Sequence, residues 1–177
     1  MEKPSPSTIQ PARLGKAMIY LAWLLALGLL TVGFNYWLDA QKNPNREVKS
    51  LLIEASPAVV LERNRYGHYH ARGQINGQDV EFLLDTGATE VSVPLVVANR
   101  LGLHKGVEMP VNTANGILIV YATRLERVQL GNIVLHNVKA HINPGVKTDE
   151  VLLGMSFLKQ LEFSQRGNTL TLIQPKQ

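Results

Sequence analysis

At 177 residues the chain has room for one domain of ordinary size with accessory segments. Its formal net charge of +4 comes from scattered Lys and Arg, with neither a basic stripe nor interleaved aromatics, so nucleic-acid binding has no support. The absence of cysteine excludes disulfides, Cys-based zinc sites and thiol nucleophiles.

Met1 to Lys16 is polar, contains Pro and Ser, and reads as a tail without a core of its own. Residues 17–38, AMIYLAWLLALGLLTVGFNYWL, run without a formal charge. As a helix they extend about 33 Å, enough to cross a hydrocarbon core, and Trp23, Tyr36 and Trp37 include interfacial anchors. The run is longer than the apolar core of a cleaved signal peptide and no small-x-small site follows it, so a retained single-pass signal anchor is expected. Lys3, Arg13 and Lys16 precede the span and Lys42, Arg46 and Lys49 follow it, nearly a tie by the positive-inside rule. The tight Arg13/Lys16 pair tilts the expectation to a cytoplasmic tail (1–16), with the rest of the chain on the periplasmic side of a bacterial inner membrane.

Residues 39–57 begin DAQKNPNR and read as a polar tether, with Val48 to Ala55 a short helix or an extended approach. From residue 58 to 177 the signals are mostly β. Strand-like runs at Ala58–Arg63 and His68–Ile75 flank an Asn64-Arg65-Tyr66-Gly67 turn, and Asn76-Gly77 returns the chain through Asp79–Leu84. Val91 and Val93 continue as strand, and Pro94 suits the start of a short helix ended by Gly102. Asn115-Gly116 and Gly131-Asn132 mark two more hairpins, Asn143-Pro144-Gly145 stops Val138–Ile142, and Gly167-Asn168 turns into Thr169–Ile173. Many short strands with frequent turns predict a small β-barrel or sandwich with one or two short helices.

Within this pattern Phe82–Pro94, FLLDTGATEVSVP, aims Asp85 at the end of an apolar strand. A carboxylate there either caps its own loop or serves chemistry, because desolvating an unpartnered charge is costly. His68 and His70 share a strand face, but two ligands do not make a metal site, and His104, His136 and His141 have no ligand spacing, so no metal or cofactor is expected. Ser92 and Ser156 lack a nucleophile-elbow pattern.

Three segments in order, FLLDTGATEVSVP, the hairpin TANG (Thr113–Gly116) and VLLGMSFL (Val151–Leu158), resemble the retropepsin-like aspartic proteases, and more narrowly a bacterial membrane-anchored branch of them. The resemblance covers roughly residues 58–173. It implies a small closed β-barrel of the retropepsin, or half-pepsin, type. It implies that Asp85 is the catalytic carboxylate, that Thr86 braces the loop against a matching loop of a partner, and that Gly87 and Ala88 keep the loops close and the cleft floor open. Thr113, Ala114, Asn115 and Gly116 would form the tip of a flap over a bound peptide, and Gly154 would let Val151–Leu153 pass close behind the Asp85 loop.

This chemistry needs a second carboxyl, one ionised and one protonated. Asp79, Glu81, Glu90, Asp149 and Glu150 have no matching context, so one D-T-G per chain implies a homodimer with two Asp85 side chains at its axis. The function expected is membrane-anchored aspartic endopeptidase action on a peptide or protein substrate. The alternative is a binding or scaffold module that keeps the fold without turnover. The polar segment after Leu38 is also a candidate for self-cleavage.

Overall fold

The protein is described by a computed structural model over residues 11–113 and 116–176. Helix α1, Pro11–Lys42, is one unbroken run of 32 residues, about 48 Å long. Over Gly15–Lys42 it is long and apolar enough to cross a membrane. The chain divides into two compact units between Ala40 and Gln41.

The second unit contains β1 (Lys49–Ile53), β2 (Ser56–Glu62), β3 (His70–Ile75), β4 (Gln78–Leu84), β5 (Val91–Pro94) and α2 (Leu95–Arg100). There follow β6 (Glu108–Thr113), β7 (Gly116–Leu130), β8 (Ile133–Asn143), β9 (Glu150–Leu153), α3 (Met155–Leu158), β10 (Glu162–Arg166) and β11 (Thr169–Ile173). A seven-stranded sheet runs β3-β4-β9-β5-β8-β7-β6, and a four-stranded sheet runs β1-β2-β11-β10. The larger sheet curls until β3 meets β7, so the expected barrel is present but closes only through Gln74–Gln129 and Ile75–Val128. Gly73 permits that meeting. A Cβ there would lie 2.4 Å from the Gln129 carbonyl oxygen and 2.6 Å from the Phe82 ring, so any side chain would push the strands apart.

The core follows from period-two alternation along the strands. Val80 and Phe82 of β4, Val91 and Val93 of β5, Ala140 and Ile142 of β8, and Val151 and Leu153 of β9 are all buried. Phe157 of α3 closes one end of the same cluster.

Local features sharpen the sequence expectations. β7 is a single strand of 15 residues that ends at the Gly131-Asn132 turn. β8 begins at Ile133, ahead of the expected Val138–Ile142 run, and passes through Asn137, which takes a left-handed φ of 57° while pairing with β7 keeps one register on either side. Of the two readings of Val48–Ala55 the extended one holds, and β1 turns into β2 through Glu54 and Ala55 at φ 50° and 64°.

The expected tether is in large part built into the domain. Asn45 is buried (4% exposed) and its amide ties β2 to β3. Its Nδ2 donates to the carbonyl oxygens of Glu62 (2.9 Å) and His70 (2.6 Å), and its Oδ1 accepts from the Glu62 N–H (2.6 Å). Asn45→Ala would leave these backbone groups unpartnered at a buried position, and is expected to cost about 2–3 kcal/mol. Urea unfolding of the full chain in detergent, followed by tryptophan-independent far-UV signal of the β-domain, checks this.

Candidate active site

Asp85 stands at the end of β4, half-buried, where Phe82–Leu84 deliver the chain from the core. β4 pairs in parallel with β9 up to Leu84–Leu153, and the Asp85 N–H donates to the Leu153 carbonyl (3.3 Å). The loop then turns on itself. The Ala88 N–H donates to the Asp85 carbonyl (3.2 Å), and the Gly87 N–H donates to Asp85 Oδ1 (2.8 Å), which fixes the carboxylate's direction. Thr86 is exposed, and among the described residues its hydroxyl has no hydrogen-bond partner.

The segment Leu152–Leu158 holds this loop from behind. The N–H groups of Met155 and Ser156 donate to the carbonyls of Ala88 (2.8 Å) and Thr89 (3.0 Å). Ser156 Oγ accepts from the Val91 N–H (3.0 Å) and donates to the Lys139 carbonyl (2.7 Å), joining α3 to β5 and β8 at a buried point. Gly154 is buried between them, and a Cβ would lie 2.3 Å from the Glu90 carbonyl oxygen and 2.7 Å from that of Ala88. The close passage expected at Gly154 is therefore present, and its reason is backbone contact rather than backbone dihedral.

In front of the loop lies a cleft of about 750 Å³, lined by Asp85, Gly87 and Ala88 from the loop and by Met109–Asn112 of β6. β6 and β7 form a hairpin whose pairing extends to Thr113–Gly116. Ala114 and Asn115, the expected flap tip, lie outside the described residues. Ile117 and Ile119, near the end of that hairpin, are 75% and 47% exposed. Asp85 and Thr86 also border a second hollow with Leu84, Leu158, Phe163 and Tyr69. Phe163 is half-exposed there, and the buried Tyr69 hydroxyl has no partner among the described residues.

Sequence reasoning missed the polar side of the cleft. β5 and β8 are parallel, with Ser92 beside His141 and Pro94 beside Asn143, while Ser92 also faces Leu152 of β9. Glu90, Ser92, His141 and Asn143 therefore share the face opposite the core residues Val91, Val93, Ala140 and Ile142. Asn143 Nδ2 donates to Ser92 Oγ (3.4 Å), and Asn143 Oδ1 accepts from the Gly145 N–H (2.9 Å). His141 Nδ1 lies 3.7 Å from Glu90 Oε2. The signal was a polar residue at every second position in E-V-S-V and K-A-H-I-N; what joins the two runs is visible only in space. Away from the cleft, His68 and His70 have ring centroids 6.3 Å apart, and His70 Nδ1 lies 3.6 Å from Glu150 Oε1.

The model of the gag-polyprotein putative aspartyl protease family matches residues 71–160, a stretch that contains the Asp85 loop, both faces of the cleft and α3. The chain belongs to this family. An uncharacterized protein of the cobV 5′ region in a Sinorhizobium species is 29% identical over 166 residues, covering 86% of this chain and 71% of that protein. The uncharacterized protein RP867 of Rickettsia prowazekii is 28% identical over 107 residues, 59% of this chain and 46% of its own length. Among solved structures, the crystal structure of a retropepsin-like aspartic protease from Rickettsia conorii superposes with a TM-score of 0.58 at 26% identity, covering 72% of this chain and 96% of that one. The retropepsin-like fold is thus established by family and by three-dimensional likeness together.

Burial lowers the His141 pKa below its ordinary 6.5, with the Glu90 carboxylate opposing the shift. A base whose folded pKa is lowered binds fewer protons folded than unfolded, so its contribution is complete above the unfolded value and is lost as pH falls below it. The domain is expected to lose stability as pH drops from about 7 to about 5, and His141→Gln to flatten that slope, as read from urea midpoints across the range. Gly154→Ala is expected to destabilise by about 3 kcal/mol, near the top of the overpacking range, because the obstructing atoms are backbone. Thermal unfolding of the full chain would check it.

Proposed function

We propose that the protein is an aspartic endopeptidase in which Asp85 from each of two copies forms the catalytic pair, held at a membrane by α1. The observation that carries this is Asp85 itself, at the mouth of a peptide-sized cleft on a loop braced by backbone hydrogen bonds, in a chain of this family. One Asp85 carboxylate takes a proton from water as it attacks the scissile carbonyl. The other, protonated, donates to the carbonyl oxygen; collapse of the tetrahedral intermediate then passes a proton to the departing amine. Glu90, the other acid of the cleft, is engaged with His141 and supports no in-chain pair.

Two features favour the second copy on the Asp85–Thr86 side. The Thr86 hydroxyl is exposed and has no partner among the described residues, and Phe163 is half-exposed. A two-fold axis beside Asp85 would cover both. Thr113–Gly116 act as the flap tip, the exposed Ile117 and Ile119 gaining cover when the hairpin folds over a substrate. α1 anchors both chains in one bilayer, with the domain on the periplasmic side of the inner membrane, and this confinement raises the effective concentration of the partner.

Asp85→Asn is expected to remove cleavage of a peptide library by about 10³-fold or more while leaving the unfolding midpoint and dimer fraction in place. Cleavage should be greatest at acidic to mildly acidic pH, where the pair holds one proton. Mixing a fixed amount of wild-type chain with excess Asp85→Asn chain should quench activity through mixed dimers. Activity that ignores the added variant would show that one chain suffices and would overturn the shared site.

A further inference from the structure

The cleft beside Asp85 has a chemical asymmetry that peptide hydrolysis alone does not require. Two carboxylates, Asp85 and Glu90, line it, and none of its described lining residues is Lys or Arg. Glu90 immediately precedes β5, with its side chain 27% exposed, beside the polar strip that runs from Ser92 to Asn143. His141, nearly buried, stands against it. Burial lowers the pKa of this imidazole and so favours its neutral form, while its Nδ1 lies 3.7 Å from Glu90 Oε2 and orients the carboxylate. Leu152, Ala88, Met109 and Val111 supply apolar wall, interspersed with the polar side chains of Thr89, Ser92, Asn112 and Asn143.

A largely buried anion with apolar wall beside it suits a side chain with an aliphatic stem and a cationic head, because the stem covers the wall while the head reaches the carboxylate. An acidic side chain would meet two like charges, and a purely apolar one would leave Glu90 desolvated without a partner. Resting on the endopeptidase function above, we propose that Glu90, backed by His141, is a specificity residue that selects substrates carrying a Lys or Arg side chain at a fixed position close to the scissile bond.

The test uses the full-length chain in detergent and a peptide series that places Lys, Arg, norleucine, Gln or Glu at each position around one cut. The readout is the ratio of kcat/KM for Lys over norleucine, which does not depend on the overall rate. At one position the wild type should favour Lys by about tenfold, as for a charge-assisted hydrogen bond in a partly desolvated pocket. Glu90→Gln should bring that ratio to within about twofold, and Glu90→Lys should turn the preference toward Glu. Glu90→Asp, which keeps the charge, should retain the direction of the preference. Thermal unfolding of each variant shows whether the fold is kept.

In parallel, fluorescence anisotropy of the same labelled peptides with Asp85→Asn and Asp85→Asn/Glu90→Gln chains reads the pocket without turnover. Equal kcat/KM for Lys and norleucine at every position, or a Lys preference unmoved by Glu90→Gln, overturns the subsite and leaves the peptidase standing. Absent cleavage with a Glu90-dependent Lys preference in binding overturns the peptidase and leaves the subsite standing. Absent cleavage with no binding preference overturns both.

Discussion

The passage of Gly154 behind the Asp85 loop is the constraint on which the rest of the site depends. Loops exposed on one face are ordinarily mobile, and a carboxylate used for chemistry must be held within a fraction of an ångström. The loop's own bonds, from Gly87 to Asp85 Oδ1 and from Ala88 to the Asp85 carbonyl, only set its internal shape. Its position comes from β9 and α3, whose backbone N–H groups at Met155 and Ser156 hold the Ala88 and Thr89 carbonyls, while the Ser156 hydroxyl reaches β5 and β8 together. These contacts need the two backbones to approach more closely than any Cβ allows, which is why a glycine stands between a strand and a helix that otherwise bury their side chains.

The same strands serve two purposes on their two faces. Toward the core, β5, β8 and β9 present Val91, Val93, Ala140, Ile142, Val151 and Leu153, all buried. Toward the cleft they present Glu90, Ser92, His141 and Asn143. Polar groups buried to this degree cost free energy unless paired, and each of these has a polar neighbour within the strip. Because the pleat fixes both faces at once, a shift of register in β5 would turn valines to the cleft and polar groups to the core. The site is therefore as rigidly specified as the core beneath it.

What was legible in the sequence was local and contiguous. D-T-G-A and L-L-G-M-S-F-L each carry their own loop or turn in a few letters, and Asn76-Gly77 announced its hairpin because both residues tolerate positive φ, here 51° and 81°. The β1–β2 hairpin was invisible for the opposite reason: Glu54 and Ala55 take left-handed conformations that their side chains disfavour, so no turn chemistry marks the site. Asn45 was hidden among polar neighbours, since nothing in DAQKNPNR distinguishes an amide destined for burial from one left in water. His141 and Ser92 lie far apart in the chain and meet only through a parallel pairing, which no short-range pattern encodes. Asn137 is a left-handed residue inside β8, where pairing with β7 on both sides overrides its local preference for a turn.

The first residues of the domain also bear on self-cleavage. An aspartic peptidase that grips its substrate as an extended strand needs a run of several free residues to lay across the cleft. The polar segment after Leu38 is long enough when read as a sequence. In the structure, however, α1 continues to Lys42, and Asn45 is already buried with its amide spent on β2 and β3. Only Asn43 and Pro44 lie between, and the Asn43 side chain is bonded to Glu81 while its Oδ1 accepts from the Asn45 N–H. For this segment to enter a cleft, the end of the helix must unwind or Asn45 must leave its place, each at a cost in hydrogen bonds. Both events disturb the fold at the start of the domain, so the geometry disfavours self-cleavage at this segment.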